Sequence, residues 1–166
     1  AICDHNGFYG VVRFAEAARA IGLPTVFGSE LTLLDERDES GRTGTPDPDG
    51  RHLVVLARDP TGYGRLARAI SHAQMAGGKG KPRTTAERLA DDLGRGHHVV
   101  LTGCRKGPVP AALVADGPRA ARRELDRLVE LFGRDQVVVE LWDHGDPIDG
   151  ARNDALAELA AVAGLP

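Results

Sequence analysis

An α/β fold with mainly parallel strands is what this sequence predicts, on three observations. Short runs rich in β-branched and apolar residues alternate with longer segments whose apolar residues recur every three or four positions. One of the short runs, "HLVVLA", is continuously apolar, as expected of a strand buried on both faces. Glycine and proline punctuate the helical segments at their ends. An open sheet and a barrel both satisfy this pattern.

The elements follow in order. "AIC" reads as the tail of a buried strand, and "DHNG" as the turn that leaves it. "YGVVRFAEAARAIG" sets Val12, Ala15, Ala18 and Ile21 near helical spacing, with Gly22 as C-cap and Pro24 beyond it. The next strand lies in "TVFGSELTLL", residues 25–34. "DERDESGRTGTPDPDGR" then excludes regular structure and gives an exposed loop or hairpin tip before "HLVVLA". "DPTGYGRLARAISHAQMAGG" is a helix with Leu66, Ile70 and Ala73 or Ala69 on one face, "KGKPR" a basic link, and "TTAERLADDLG" a short helix. "HHVVLTGC" is a strand opening into the turn "GCRKGPVP", and "GPRAARRELDRLVELFG" carries Ala121, Leu125, Leu128 and Leu131 in helical register. "QVVVELWDHGDP" is a strand followed by a polar turn. The last helix, "GARNDALAELAAVAG", turns Leu156, Leu159 and Val162 or Ala163 inward and closes at Gly164. The order is strand, helix, strand, strand, helix, helix, strand, helix, helix, strand, helix. Stretches 35–51 and 76–83 resemble linkers, but neither marks a domain boundary.

At 166 residues with 42% hydrophobic content, the chain has the size and composition of one domain with a core. A net charge of −3 leaves no basic footprint with which this chain alone would grip a nucleic-acid backbone. Cys3 and Cys104 are too few for a disulfide framework, and neither a signal peptide nor a membrane-length apolar run is present. These features point to a reduced, soluble, cytoplasmic protein without a membrane partner. Both ends read as the interiors of elements, so an internal piece of a longer protein is expected.

In α/β folds, chemistry collects past the carboxyl ends of parallel strands. Asp4 and His5 follow the first strand, Glu30 lies within the second, Cys104 ends "VVLTGC", and Asp143 and His144 end "VVVELWDH"; His52 instead begins its strand. Imidazole, carboxylate and thiolate from different strands suit a zinc or manganese centre acting on a phosphate ester. No CxxC pair, HExxH, P-loop or nucleophile-elbow motif is present to prove it. The plainer alternatives stand beside it. Asp4 serves equally as a turn cap, Cys104 as a small apolar residue, His97 and His98 as strand-entry residues, and His72 as a helix residue without a partner. Glu30 is the exception, because a carboxylate inside an apolar strand needs a cation or donors.

The stretches "DHNGFYGVVRFAEAARAIGLPTVFGSEL", "RHLVVLARDPTGYGRLARAI", "LTGCRKGPV" and "FGRDQVVVELWDHGDP" resemble the PHP (polymerase and histidinol phosphatase) domain of bacterial DNA polymerase III alpha chains. "DHNGFYGVVRF" with "TGCRKG" and "DHGDP" is most similar to the error-prone, damage-associated form. The resemblance implies a distorted (βα)7 TIM-like barrel, of which residues 1–166 would be a single incomplete domain. It also implies metal ligands at His5, Glu30, His52 and Cys104, with Asp4 beside them, holding two or three Zn or Mn ions. His52, demoted by the strand-end argument, is promoted by the resemblance alone. Asp143 and His144 match no ligand position.

The family's opening His-x-His and final Asp-x-His motifs are absent, so an incomplete metal site is expected, with oligomerisation through uncovered barrel edges. The function implied is the PHP part of an error-prone DNA-directed DNA polymerase in replication and damage-tolerant repair synthesis. DNA, deoxynucleotides and other polymerase subunits are the parent's implied partners. The domain itself would be a metal-dependent phosphoesterase or a structural support. The rivals are a stand-alone phosphatase of the histidinol-phosphatase type and a non-catalytic brace.

Overall fold

The computed structural model describes residues 1–34, 50–77 and 80–166. Among them the chain runs β1 (Ile2–His5), α1 (Val11–Ala20), β2 (Phe27–Leu33), β3 (Arg51–Ala57), α2 (Pro60–Gly77), α3 (Ala86–Leu93), β4 (His98–Leu101), α4 (Pro108–Asp116), α5 (Pro118–Phe132), β5 (Val137–Val138) and α6 (Asp149–Ala163). This is the order expected from the sequence. Apart from Gly50 and Arg51, the loop or hairpin tip expected over 35–51 lies outside the described residues, as do residues 78 and 79 of the second linker-like stretch.

The five strands form one sheet in the order β1-β2-β3-β4-β5. β1 is parallel to β2 and β4 to β5, whereas β3 runs antiparallel to both of its neighbours. Four strands therefore share a direction and β3 opposes them. Leu33 lies opposite Arg51, so β2 and β3 meet as a hairpin does, while α1 supplies the crossover that the parallel pair β1 and β2 requires. The sheet is open, with β1 and β5 at its edges; the described residues do not close a barrel.

The pleat divides the side chains between two faces. Leu31, Leu33, Leu53, Val55, Val100, Val137 and Val139 project onto one face and form the core with Leu66, Leu89, Val109, Leu125, Leu128, Phe132 and Leu156 from the helices. Leu53, Val55 and Val100 have no exposed surface at all. By register, Cys3, His5, Glu30, His52, Val54 and Leu101 share the other face.

Four local readings are corrected. α1 buries Val11 and Ala18, with Phe14 and Ala15 half-buried between them, and leaves Val12 and Ile21 exposed, so the packed stripe starts at Val11 and ends at Ala18. "GPVP" is a helix start rather than a turn: Pro108 occupies the first turn of α4, where a missing N–H costs nothing. β5 is only two residues long, since the Val139 N–H turns to the Pro166 carbonyl and the Glu140 N–H to Thr102 Oγ1. His72 has a partner after all, the Asp92 carboxylate at 2.9 Å on α3. In α6, Ala163 is buried and Val162 exposed, which decides between the two alternatives.

Candidate metal centre

His5 closes β1 and is pinned by the turn after it. Asn6 takes the left-handed conformation that asparagine tolerates (φ 52°). Its amide makes a two-way bridge to Thr32: the Thr32 N–H donates to Oδ1 and Nδ2 donates to Oγ1, both at 2.9 Å. The Gln74 amide on α2 donates to the Asn6 carbonyl at 3.0 Å. His5 thus lies beside Glu30, with Nδ1 3.1 Å from the Glu30 backbone carbonyl. A carbonyl only accepts, so the proton sits on Nδ1 and Nε2 keeps its lone pair for a cation.

His52 reaches the same place from the opposite direction. Because β3 is reversed, its first residues lie at the end of the sheet where β1, β2 and β4 finish. The His52 imidazole is buried, with Nδ1 3.0 Å from Glu30 Oε1. The rings of His5 and His52 meet edge to face, centroids 4.8 Å apart. His5, Glu30 and His52 each present a ligand atom within 4.8 Å of the other two.

Cys104 is brought to the group by glycines. Gly103 has φ +88°, and a Cβ there would meet the His52 carbonyl oxygen at 2.3 Å; one at Gly107 would meet the Thr102 carbonyl oxygen at 2.1 Å. Only glycine permits so close an approach. The turn is then closed by Gly107 N–H donating to the Cys104 carbonyl at 2.6 Å and fixed to β3 by His52 N–H donating to the Lys106 carbonyl at 3.1 Å. The thiol sits 3.6 Å from Glu30 Oε1 and 3.7 Å from His52 Nδ1.

Burial works to raise the Glu30 carboxyl, but the hydrogen bond from His52, the nearby imidazoles and the Cys104 thiol outweigh it and hold the group below its ordinary value. Glu30 is therefore anionic at neutral pH in a nest of ligand atoms. Two imidazoles, a carboxylate and a thiol fit zinc or manganese chemistry.

Asp4 belongs elsewhere. One residue from His5, it turns to the opposite face, and its carboxylate accepts from Gly10 N–H at 2.7 Å at the start of α1. His144 and Asp146, from the turn after β5, line the same cavity as the triad and Cys104, together with Arg105, Trp142, Asp149 and Arg152. Sequence reasoning missed Trp142, Asp149 and Asn153. Asn153 clasps the Trp142 main chain by accepting from its backbone N–H at 3.3 Å and donating to its backbone carbonyl at 2.9 Å. The Asp149 carboxylate accepts from the N–H groups of His144 (2.8 Å) and Asp146 (3.1 Å) and pairs with Arg152. These contacts join the turn to α6, and no local spacing announces them.

Glu140, also missed, is largely withdrawn from solvent beside the centre; burial pushes its carboxyl up, and the Glu30 charge adds to the shift. His98 is buried at the start of β4, where its Nε2 lies 3.0 Å from the Gly62 carbonyl.

A family model described as "PHP domain" matches residues 1–144. The chain is 52% identical over 166 residues to the error-prone DNA polymerase of Mycolicibacterium paratuberculosis, covering 99% of this chain and 15% of that protein. It is 32% identical to the DNA polymerase III subunit alpha of Thermus aquaticus, covering 99% of this chain and 13% of that one. The chain therefore spans about one seventh of the length of these curated relatives. A crystal structure from Bifidobacterium adolescentis, named as a proposed metal-dependent phosphoesterase, superposes with a TM-score of 0.59 at 16% identity, covering 99% of this chain and 73% of that one. That likeness shows a shared fold.

Proposed function

The chain belongs to the PHP domain family, and from that premise we propose that it is the PHP module of an error-prone DNA polymerase and hydrolyses phosphate esters at the His5–Glu30–His52 centre. The observation that carries this reading is the convergence of three ligand atoms within 4.8 Å on the face of the sheet away from the core. The 52% identity across 99% of the chain favours a polymerase over a stand-alone phosphatase of the histidinol-phosphatase type.

In this reading His5 Nε2, His52, the Glu30 carboxylate and the Cys104 thiolate hold zinc or manganese. Such an ion lowers the pKa of bound water and neutralises phosphate charge. His5 is oriented by the Glu30 carbonyl, and Asp4 acts from behind by fixing the turn that carries His5. The open sheet is one arc of a distorted (βα)7 TIM-like barrel, and residues 1–166 form one incomplete PHP domain whose free edges, β1 and β5, pair with further strands or with another copy. The parent polymerase acts on DNA and deoxynucleotides with other subunits in the cytoplasm. No helix among the described residues is long and apolar enough to cross a membrane.

The test is manganese-dependent release of phosphate or nucleotide by the full-length protein. His5→Ala and Glu30→Ala should each reduce it at least tenfold, order of magnitude, with polymerisation retained. Unchanged hydrolysis in both variants would contradict the reading, and metal binding without hydrolysis would leave the module a brace.

A further inference from the structure

The cavity of about 430 Å³ that contains the triad has a second wall of different chemistry, formed by Arg105, Trp142 and His144. Its volume lies in the range of small-molecule sites. The indole of Trp142 and the imidazole of His144 meet edge to face with centroids 4.6 Å apart, an aromatic surface beside a centre suited to phosphate. Arg105 adds a cation next to Cys104. The negative charge that Asp149 would bring is offset by its buried pairing with Arg152.

The wall is also built to hold its shape. The backbone of Trp142 is clasped by Asn153, and the backbone N–H groups of His144 and Asp146 are tied to the Asp149 carboxylate, so α6 holds the main chain from which both rings project. An aromatic pair on an anchored main chain with a cation beside it suits a flat heteroaromatic group carrying a phosphate. A small aliphatic phosphomonoester would leave the wall unused.

We propose that Trp142 and His144 form a nucleoside subsite that determines specificity, holding the base and sugar of a nucleoside phosphate whose phosphate lies at His5, Glu30 and His52 with Arg105 beside it. This rests on the metal-centre reading. The ligand class covers a free nucleotide and the end of a single strand alike.

The test measures manganese content together with calorimetric affinities of the manganese-loaded protein for inorganic phosphate, dAMP and a single-stranded oligonucleotide. dAMP should bind roughly tenfold more tightly than phosphate. The double replacement Trp142→Ala and His144→Ala should bring dAMP to the phosphate level, leaving phosphate affinity and manganese content unchanged, and Trp142→Phe should keep most of the preference. Tighter binding of the oligonucleotide than of dAMP supports the proposal with a strand end as the source, and equal binding supports it with a free nucleotide.

With manganese bound, equal affinities for dAMP and phosphate would overturn the subsite alone, as would a preference that survives the double replacement. If neither manganese nor phosphate binds, the metal-centre reading falls and the subsite with it.

Discussion

The two faces of one sheet divide the labour of this molecule. On one, Leu31, Leu53, Val55, Val100 and Val137 are sealed beneath helices. On the other, His5, Glu30 and His52 stand close together with ring edges and carboxylate oxygens in contact. Both come from the same strands, and in β3 neighbouring residues serve opposite ends: His52 faces the centre and Leu53 the core. Stability and chemistry are thus separated by a single step of the pleat, and a one-residue slip of register would exchange them.

That comparison breaks most visibly at Leu53. Leu53→Ala removes a fully buried side chain and should cost about 2–5 kcal/mol in chemical denaturation. Glu30→Gln, almost the same shape on the other face, should change stability far less while reducing metal binding. Similar losses of stability in the two variants would erase the distinction.

The next effect concerns pH. Burial holds the His98 imidazole below its ordinary value, so folded His98 is neutral where the unfolded residue binds a proton. The unfolded state then binds more protons, and stability is lost as pH falls below about 6.5. The denaturation midpoint should decline between pH 7 and 5, and His98→Asn should flatten the decline. An equal slope in the variant would remove His98 as the cause. The carboxyls of Asp59, Glu87 and Asp149 are held down and act in a lower window, as pH falls through the ordinary carboxylate range.

A smaller effect lies in the helical layer over the core. Thr85 caps α3 by accepting from Arg88 N–H at 3.3 Å. Thr85→Ala should cost about 1 kcal/mol, read as a lower melting temperature, without altering metal content. A change in metal content would show that the two faces are coupled.

Element order was legible because each helix and strand carries its own periodicity and its own glycine or proline boundary. The direction of β3 was not, since "HLVVLA" has the same composition whichever way it runs. That one reversal explains why His52 falls outside a rule about strand ends yet sits in the centre beside Glu30. His5 and Glu30 were visible as polar residues at strand positions. The clasp of Asn153 on Trp142, the Asp149 anchor and the pairing of His72 with Asp92 were hidden, because each depends on packing between separate elements.

The most direct test of the account is metal titration of the protein beside its His5→Ala and Glu30→Ala variants, with circular dichroism to confirm that the fold is retained. The account predicts zinc or manganese bound by the unsubstituted full-length protein and at least roughly tenfold weaker binding in each full-length variant with unchanged secondary structure. Equal metal affinity in all three folded proteins would contradict it.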